Sequence, residues 1–106
     1  MSTSRIDIFK QMLESDPANT AILFGLAKEY EKTGATAEMI DALNRYLAAA
    51  DDQGNAYGML ARAYEATGRL AEARTTYERG IEVATRHGHP GMAEEYRQTL
   101  SSEYEA

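Results

Sequence analysis

Two histidines, His87 and His89, stand one residue apart and are the only imidazoles in the chain. Imidazole is the side chain best suited to proton transfer near neutral pH, and it is a common metal ligand. Two ligands in a His-Gly-His-Pro turn fall short of a metal site. A nucleophile, a base and an orienting group must also converge from rigid elements, and no such set stands out here. Cysteine is absent, which excludes disulfides, thiolate metal sites and cysteine nucleophiles. The carboxylate pairs Asp51-Asp52 and Glu94-Glu95 read as helix caps and solvated surface. His87 and His89 read as solvated residues beside a helix C-terminus. The chemistry-bearing residues therefore predict no enzyme, no metal and no cofactor.

The elements that carry these residues are helical. The chain has 106 residues, 43% hydrophobic and 26% charged, with two prolines and eight glycines. That mixture suits one folded domain with room for long helices. Apolar spacing follows the helical period almost throughout. Ile6, Phe9, Met12 and Leu13 form a first stripe. Asp16-Pro17 reads as a helix start, with Asp as cap and Pro in the first turn. Leu23, Leu26, Ala27 and Tyr30 line the next helix, which Thr33-Gly34 ends. Thr36 is the expected cap of a third, carrying Met39, Ile40, Leu43, Tyr46 and Leu47. Asp51-Asp52 caps a fourth from near Gln53, with Tyr57, Leu60, Ala61 and Tyr64, stopped by Thr67-Gly68. A fifth carries Leu70, Ala73, Tyr77, Ile81 and Ala84. A sixth runs from Pro90 towards Tyr104.

Charge narrows the partners. Eleven basic and seventeen acidic side chains leave a formal charge of -6, which disfavours nucleic acid and anionic membrane surfaces. Arg69, Arg74, Arg79 and Arg86 interleave with Glu72, Glu78 and Glu82 on one helix. Such a mixture predicts intrahelical pairs worth about 0.2–0.5 kcal/mol each and no basic stripe for phosphates. No apolar run has the length of a signal peptide or a membrane span, so a cytoplasmic location is the expectation.

A shift of 34 residues superimposes the chain on itself. Tyr30 then falls on Tyr64, Leu26 on Leu60, Ala27 on Ala61, Leu23 on Tyr57, and Thr33-Gly34 on Thr67-Gly68. Phe9, Leu43 and Tyr77 form a second series at the same interval. The pattern Leu23-x2-Leu26-Ala27-x2-Tyr30, repeated as Tyr57-x2-Leu60-Ala61-x2-Tyr64, resembles the first half of the tetratricopeptide repeat. Met39-x3-Leu43 and Ala73-x3-Tyr77 resemble its second half. Tryptophan is absent, Met39 replaces the usual alanine, and of the closing prolines only Pro17 is present, Asp51 and Thr85 standing at the later sites.

The resemblance implies an all-α, right-handed α-solenoid of antiparallel helix pairs with about six helices. It divides a single domain into a half-repeat helix at 1–19, full repeats at 20–53 and 54–87, and a capping helix at 88–106. Ala27, Ala61 and Gly80 are then small because helices approach closely there, and Tyr30 and Tyr64 supply scaffold area. Solenoids of this family present a concave groove that receives peptides or helices. Carrying the register along the first helix of each repeat places Phe24, Lys28, Asn55, Arg62, Met92 and Tyr96 on that face. Gly58 is expected as a notch in it. Lys28 and Arg62, two cations at equivalent positions in an acidic chain, suggest an acidic, partly apolar partner segment. Each also has a glutamate three residues on, which predicts ordinary surface pairing. The chaperone-binding carboxylate clamp of some family members is not expected, because Phe24 and Met59 stand where polar residues are needed.

The expected function is that of a non-catalytic protein-interaction module. The competing expectation is self-association as a homo-oligomer, with Ile6, Ile8, Phe9 and Met12 of the first helix half-covered and pairing with a second copy.

Overall fold

A computed structural model describes residues 4–104. Six helices follow one another: α1 (Arg5–Ser15), α2 (Thr20–Thr33), α3 (Thr36–Ala49), α4 (Asn55–Ala66), α5 (Leu70–Arg86) and α6 (Pro90–Glu103). Every regular element among the described residues is helical. The chain falls into two compact units, one running to Asp51 and the other starting at Asp52. In the first, α1 packs on α2 and α2 on α3; in the second, α4 packs on α5 and α5 on α6.

Helix boundaries follow local hydrogen-bond chemistry, and three differ from the sequence expectation. Asp16 does not start α2; it closes α1, its N–H donating to the Met12 carbonyl. The cap of α2 is Asn19, whose side-chain oxygen accepts from the Ile22 N–H at 3.1 Å. Its amide nitrogen donates to the Asp16 carboxylate at 2.9 Å, so Asp16 orients the cap instead of serving as one. Thr36 is the first residue of α3, and Ala35 precedes it without a side-chain cap. The helix expected near Gln53 begins at Asn55. Gly54 precedes it at φ +128°, a conformation that L side chains rarely adopt. Asp52 reaches over that glycine, its carboxylate accepting from the Gly54 and Ala56 N–H groups at 2.9 and 3.1 Å.

Turns after α2 and α4 repeat the same device. Gly34 and Gly68 take φ +74° and +76°. The next residue's N–H then returns to the equivalent tyrosine carbonyl, Ala35 to Tyr30 at 3.0 Å and Arg69 to Tyr64 at 2.9 Å.

In the first unit the core is built on Leu13, Leu23, Leu26, Ala27, Tyr30, Met39, Ile40 and Leu43, all buried. Phe9 lies against Gly25, where an added Cβ would stand 3.2 Å from its ring. Met12 departs from the expected stripe and is 45% exposed. In the second unit Ala61, Tyr77 and Tyr96 form a buried cluster, with Ile81, Met92, Leu100 and Tyr104 packed against it. Leu70, expected in the α5 stripe, is 55% exposed, because the first residue of that helix precedes the turn that packs. Thr76 is buried in its place along the helix, its hydroxyl donating to the Glu72 carbonyl at 2.7 Å. Gly80 meets the close-packing expectation: an added Cβ would stand 2.9 Å from both the Tyr57 Cβ and the Tyr96 ring.

Candidate functional site

Four of the six residues that the register places on one face converge in the second unit. Asn55 and Arg62 of α4, with His89, Met92, Glu95 and Tyr96 of α6 and its entry turn, line a concavity of about 620 Å³. A second depression of about 290 Å³ adjoins it, sharing Arg62, Glu95 and Tyr96 and adding Glu65, Tyr77, Thr99 and Glu103. Together they form a groove along α4 and α6.

Tyr96 is the wall of this groove, not a free anchor. Its side chain is buried, and its hydroxyl donates to the Gly54 carbonyl at 2.8 Å. The Gly58 notch is also filled, since a Cβ there would lie 2.6 Å from the Tyr96 hydroxyl oxygen. Burial raises the Tyr96 phenol above its ordinary range. Asn55 and Arg62 are exposed and Met92 is half-buried, which leaves these three as the accessible members.

Histidines expected to be solvated are half-buried instead. His89 Nε2 lies 2.6 Å from the Gln53 side-chain oxygen and ties the entry turn of α6 to the segment before α4. Among the described residues no three His, Asp or Glu side chains are gathered as a metal site.

Arg62 and Glu65, expected as a surface pair, take different partners. The Glu65 carboxylate accepts from the Tyr104 hydroxyl at 2.6 Å and from the Tyr77 hydroxyl at 3.3 Å. The two rings meet edge to face, with centroids 6.2 Å apart. Burial, reinforced by the Glu65 charge, pushes the Tyr77 phenol up to about 12. Burial and the Glu65 hydrogen bond raise Tyr104 as well. Among the described residues Arg62 makes no ion pair within 4.0 Å.

Phe24 and Lys28 lie on α2 in the first unit. Phe24 is half-buried against Tyr46, ring centroids 5.1 Å apart. The Lys28 ammonium sits 6.0 Å from the Phe24 ring and 3.8 Å from the Glu31 carboxylate. Here the surface pairing expected from the sequence forms. Among the described residues Arg79 makes none of the intrahelical ion pairs expected of it, and its guanidinium lies over the Tyr57 ring, 5.6 Å from the centroid.

Glu95 and Glu103 are the groove residues that sequence reasoning passed over. For Glu95 a signal exists in the repeat itself. Continued into α6, the register puts Glu94, Glu95 and Gln98 where Leu60, Ala61 and Tyr64 stand in α4. Core positions have turned polar, so that face of the last helix meets solvent and carries its carboxylates to the groove edge.

Helix pairs with matching turns, a 34-residue period and a lateral groove define a helical-repeat protein. Comparison with known proteins is specific. The tetratricopeptide repeat model matches residues 54–87, the second of the two full repeats delimited from the sequence. A TPR repeat-containing protein of Pseudomonas aeruginosa is 30% identical over 83 residues, spanning 78% of this chain and 79% of the relative. The chain belongs to the tetratricopeptide repeat family. Repeats of this family generally mediate protein–protein interactions and are generally non-catalytic. Among the described residues no helix is long and apolar enough to cross a membrane.

Proposed function

We propose that the protein is a non-catalytic interaction module, in the cytoplasm, whose second unit takes a segment of a partner protein into the groove along α4 and α6. The observation that carries this reading is the convergence of Asn55, Arg62 and Met92 around one preformed concavity of about 620 Å³. A groove held open by packed tyrosines loses little entropy on binding, so a few anchors suffice for affinity. Met92 offers an apolar contact and Arg62 a guanidinium that, among the described residues, makes no ion pair within 4.0 Å. Phe24 and Lys28 lie on the first unit and are not part of this groove. The test is photo-crosslinking from a benzoylphenylalanine placed at Asn55, with a matched probe at exposed Glu78. A partner from the native host captured at the first position alone, and lost with Arg62→Glu, supports the reading. Equal capture at both positions overturns it.

Self-association is the second reading, favoured by one observation. Ile8 and Met12, one helical turn apart on α1, are 44% and 45% exposed. Light scattering across a range of concentrations decides it, and a monomer at high concentration removes this reading.

A further inference from the structure

Charges along the groove of the second unit are sorted by position. Asn55, His89 and Met92 line the end nearest the start of α6, and Arg62 stands where the two depressions join. Glu95 stands at the same junction, and Glu65 and Glu103 line the second depression beyond it. Three carboxylates against one guanidinium make that half of the groove anionic. The tyrosine hydroxyls feel this arrangement: Arg62, Glu65 and Glu103 all act on Tyr77, and Arg62 and Glu95 on Tyr96.

These carboxylates differ in what already satisfies them. Glu65 is held by two tyrosine hydroxyls, whereas Glu95 and Glu103 are exposed. Among the described residues neither makes an ion pair within 4.0 Å, although Glu94 on the same helix takes Arg97 at 3.5 Å. Paired charges on this surface are thus spent internally, while the two glutamates at the groove edge are left to solvent.

We propose that this groove selects a cationic segment of its partner protein, with a lysine or arginine set against Glu95 and Glu103 and an apolar side chain on Met92. Complementarity of sign favours it over the acidic segment expected from Lys28 and Arg62, and steers the encounter as well as the bound state. The inference rests on the groove reading above and adds the chemistry of the occupant.

The test uses the full chain and two fluorescein-labelled twelve-residue peptides, one built on Leu-Ala-Lys repeats and one on Leu-Ala-Glu repeats. Fluorescence polarisation at low and physiological salt reads their affinities. The lysine peptide is expected to bind about tenfold more tightly, and the double variant Glu95→Gln, Glu103→Gln to weaken it about threefold to tenfold. Glu38→Gln with Asp41→Gln makes the same change in net charge on the first unit and is expected to alter affinity less than about twofold. Equal or tighter binding of the glutamate peptide, or an equal loss in the control pair, overturns the proposal. Met92→Ser separates the two readings. If it weakens both peptides alike while the glutamate variants change nothing, the groove stands and its preference for cations falls. If it changes nothing either, both fall.

Discussion

The hydroxyl oxygen of Tyr96 occupies space that a side chain on Gly58 would need, 2.6 Å from where its Cβ would sit. The same ring comes within 2.9 Å of the corresponding point on Gly80. One residue of α6 is thereby wedged between glycines of α4 and α5. The hydroxyl closes the arrangement by donating to the Gly54 carbonyl at the start of α4.

Alanine at the helical glycines should therefore have opposite effects. Glycine inside a helix ordinarily costs about 1 kcal/mol relative to alanine. At Gly80 that gain is outweighed, because the Tyr57 Cβ at 2.9 Å is tied to backbone and cannot swing away. Gly80→Ala is expected to destabilise by about 1–3 kcal/mol through overpacking. Gly91 has nothing within 4 Å of its would-be Cβ, and Gly91→Ala should gain up to about 1 kcal/mol. Urea unfolding of the two variants checks the signs, and a gain at Gly80 would contradict the wedge.

Tyr104→Phe removes the 2.6 Å hydrogen bond to Glu65 while leaving Tyr77 on the same carboxylate. A hydrogen bond to a charged acceptor at a half-buried site contributes about 1 kcal/mol. The expected loss is of that order, with the helical circular dichroism spectrum unchanged. Identical denaturation midpoints for variant and wild type would show that the contact contributes nothing.

Alkaline pH should weaken the fold through these tyrosines. Tyr77 titrates at about 12 in the folded chain, and Tyr104 is raised too, against an ordinary phenol near 10. Between those values the unfolded chain binds fewer protons than the folded one, so stability falls as pH rises. The contribution is complete below about pH 10 and is lost as pH climbs through the folded pKa of about 12. Unfolding curves from pH 8 to 11.5 should show a decline that begins near pH 10 and is shallower in Tyr104→Phe. A flat profile in that window would refute it.

Leucines of similar sequence appearance should differ sharply. Leu23 is 1% exposed and Leu70 is 55% exposed. Leu23→Ala is expected to cost about 2–5 kcal/mol, since it opens a cavity in the first unit. Leu70→Ala should stay within about 0.5 kcal/mol of wild type. Thermal unfolding with matched concentrations reads both.

Asp52→Ala leaves the Gly54 and Ala56 N–H groups without their carboxylate and should cost about 0.5–2 kcal/mol. Asp52→Asn retains one acceptor oxygen and should recover more than half of that loss. Hydrogen exchange at the start of α4 is the local readout, with faster exchange expected in the alanine variant.

Much of this was legible in the residues. The apolar period and the 34-residue self-match delimit six helices, and Gly34 and Gly68 mark the turns because a positive φ strongly favours glycine. Asp52 supplies the cap expected of it but to a helix that starts at Asn55, whereas Asp16 and Thr36 do not cap, and one reason covers all three. Asp16, Thr36 and the Asp51-Asp52 pair have the right side chains, but the residue that caps is decided by where the backbone turns. Asp52 caps from two residues outside the helix boundary, across a glycine that no side-chain preference could have announced. The candidate groove was legible only as a face. Periodicity put Asn55, Arg62, Met92 and Tyr96 together, yet it could not separate a lining residue from a wall.

The sequence alone determined the helices and the family, because these depend on local period, on turn chemistry and on a pattern repeated at a fixed interval. Tertiary structure decided the fate of each polar and aromatic side chain. Tyr96 is buried because Gly58 and Gly80, far from it in the chain, leave a slot of its shape. Glu65 turns from Arg62 to Tyr77 and Tyr104 because burial brings two phenol hydroxyls to its carboxylate. Burial and hydrogen bonding are properties of neighbours in space, and the repeat interval specifies neighbours only along the helix.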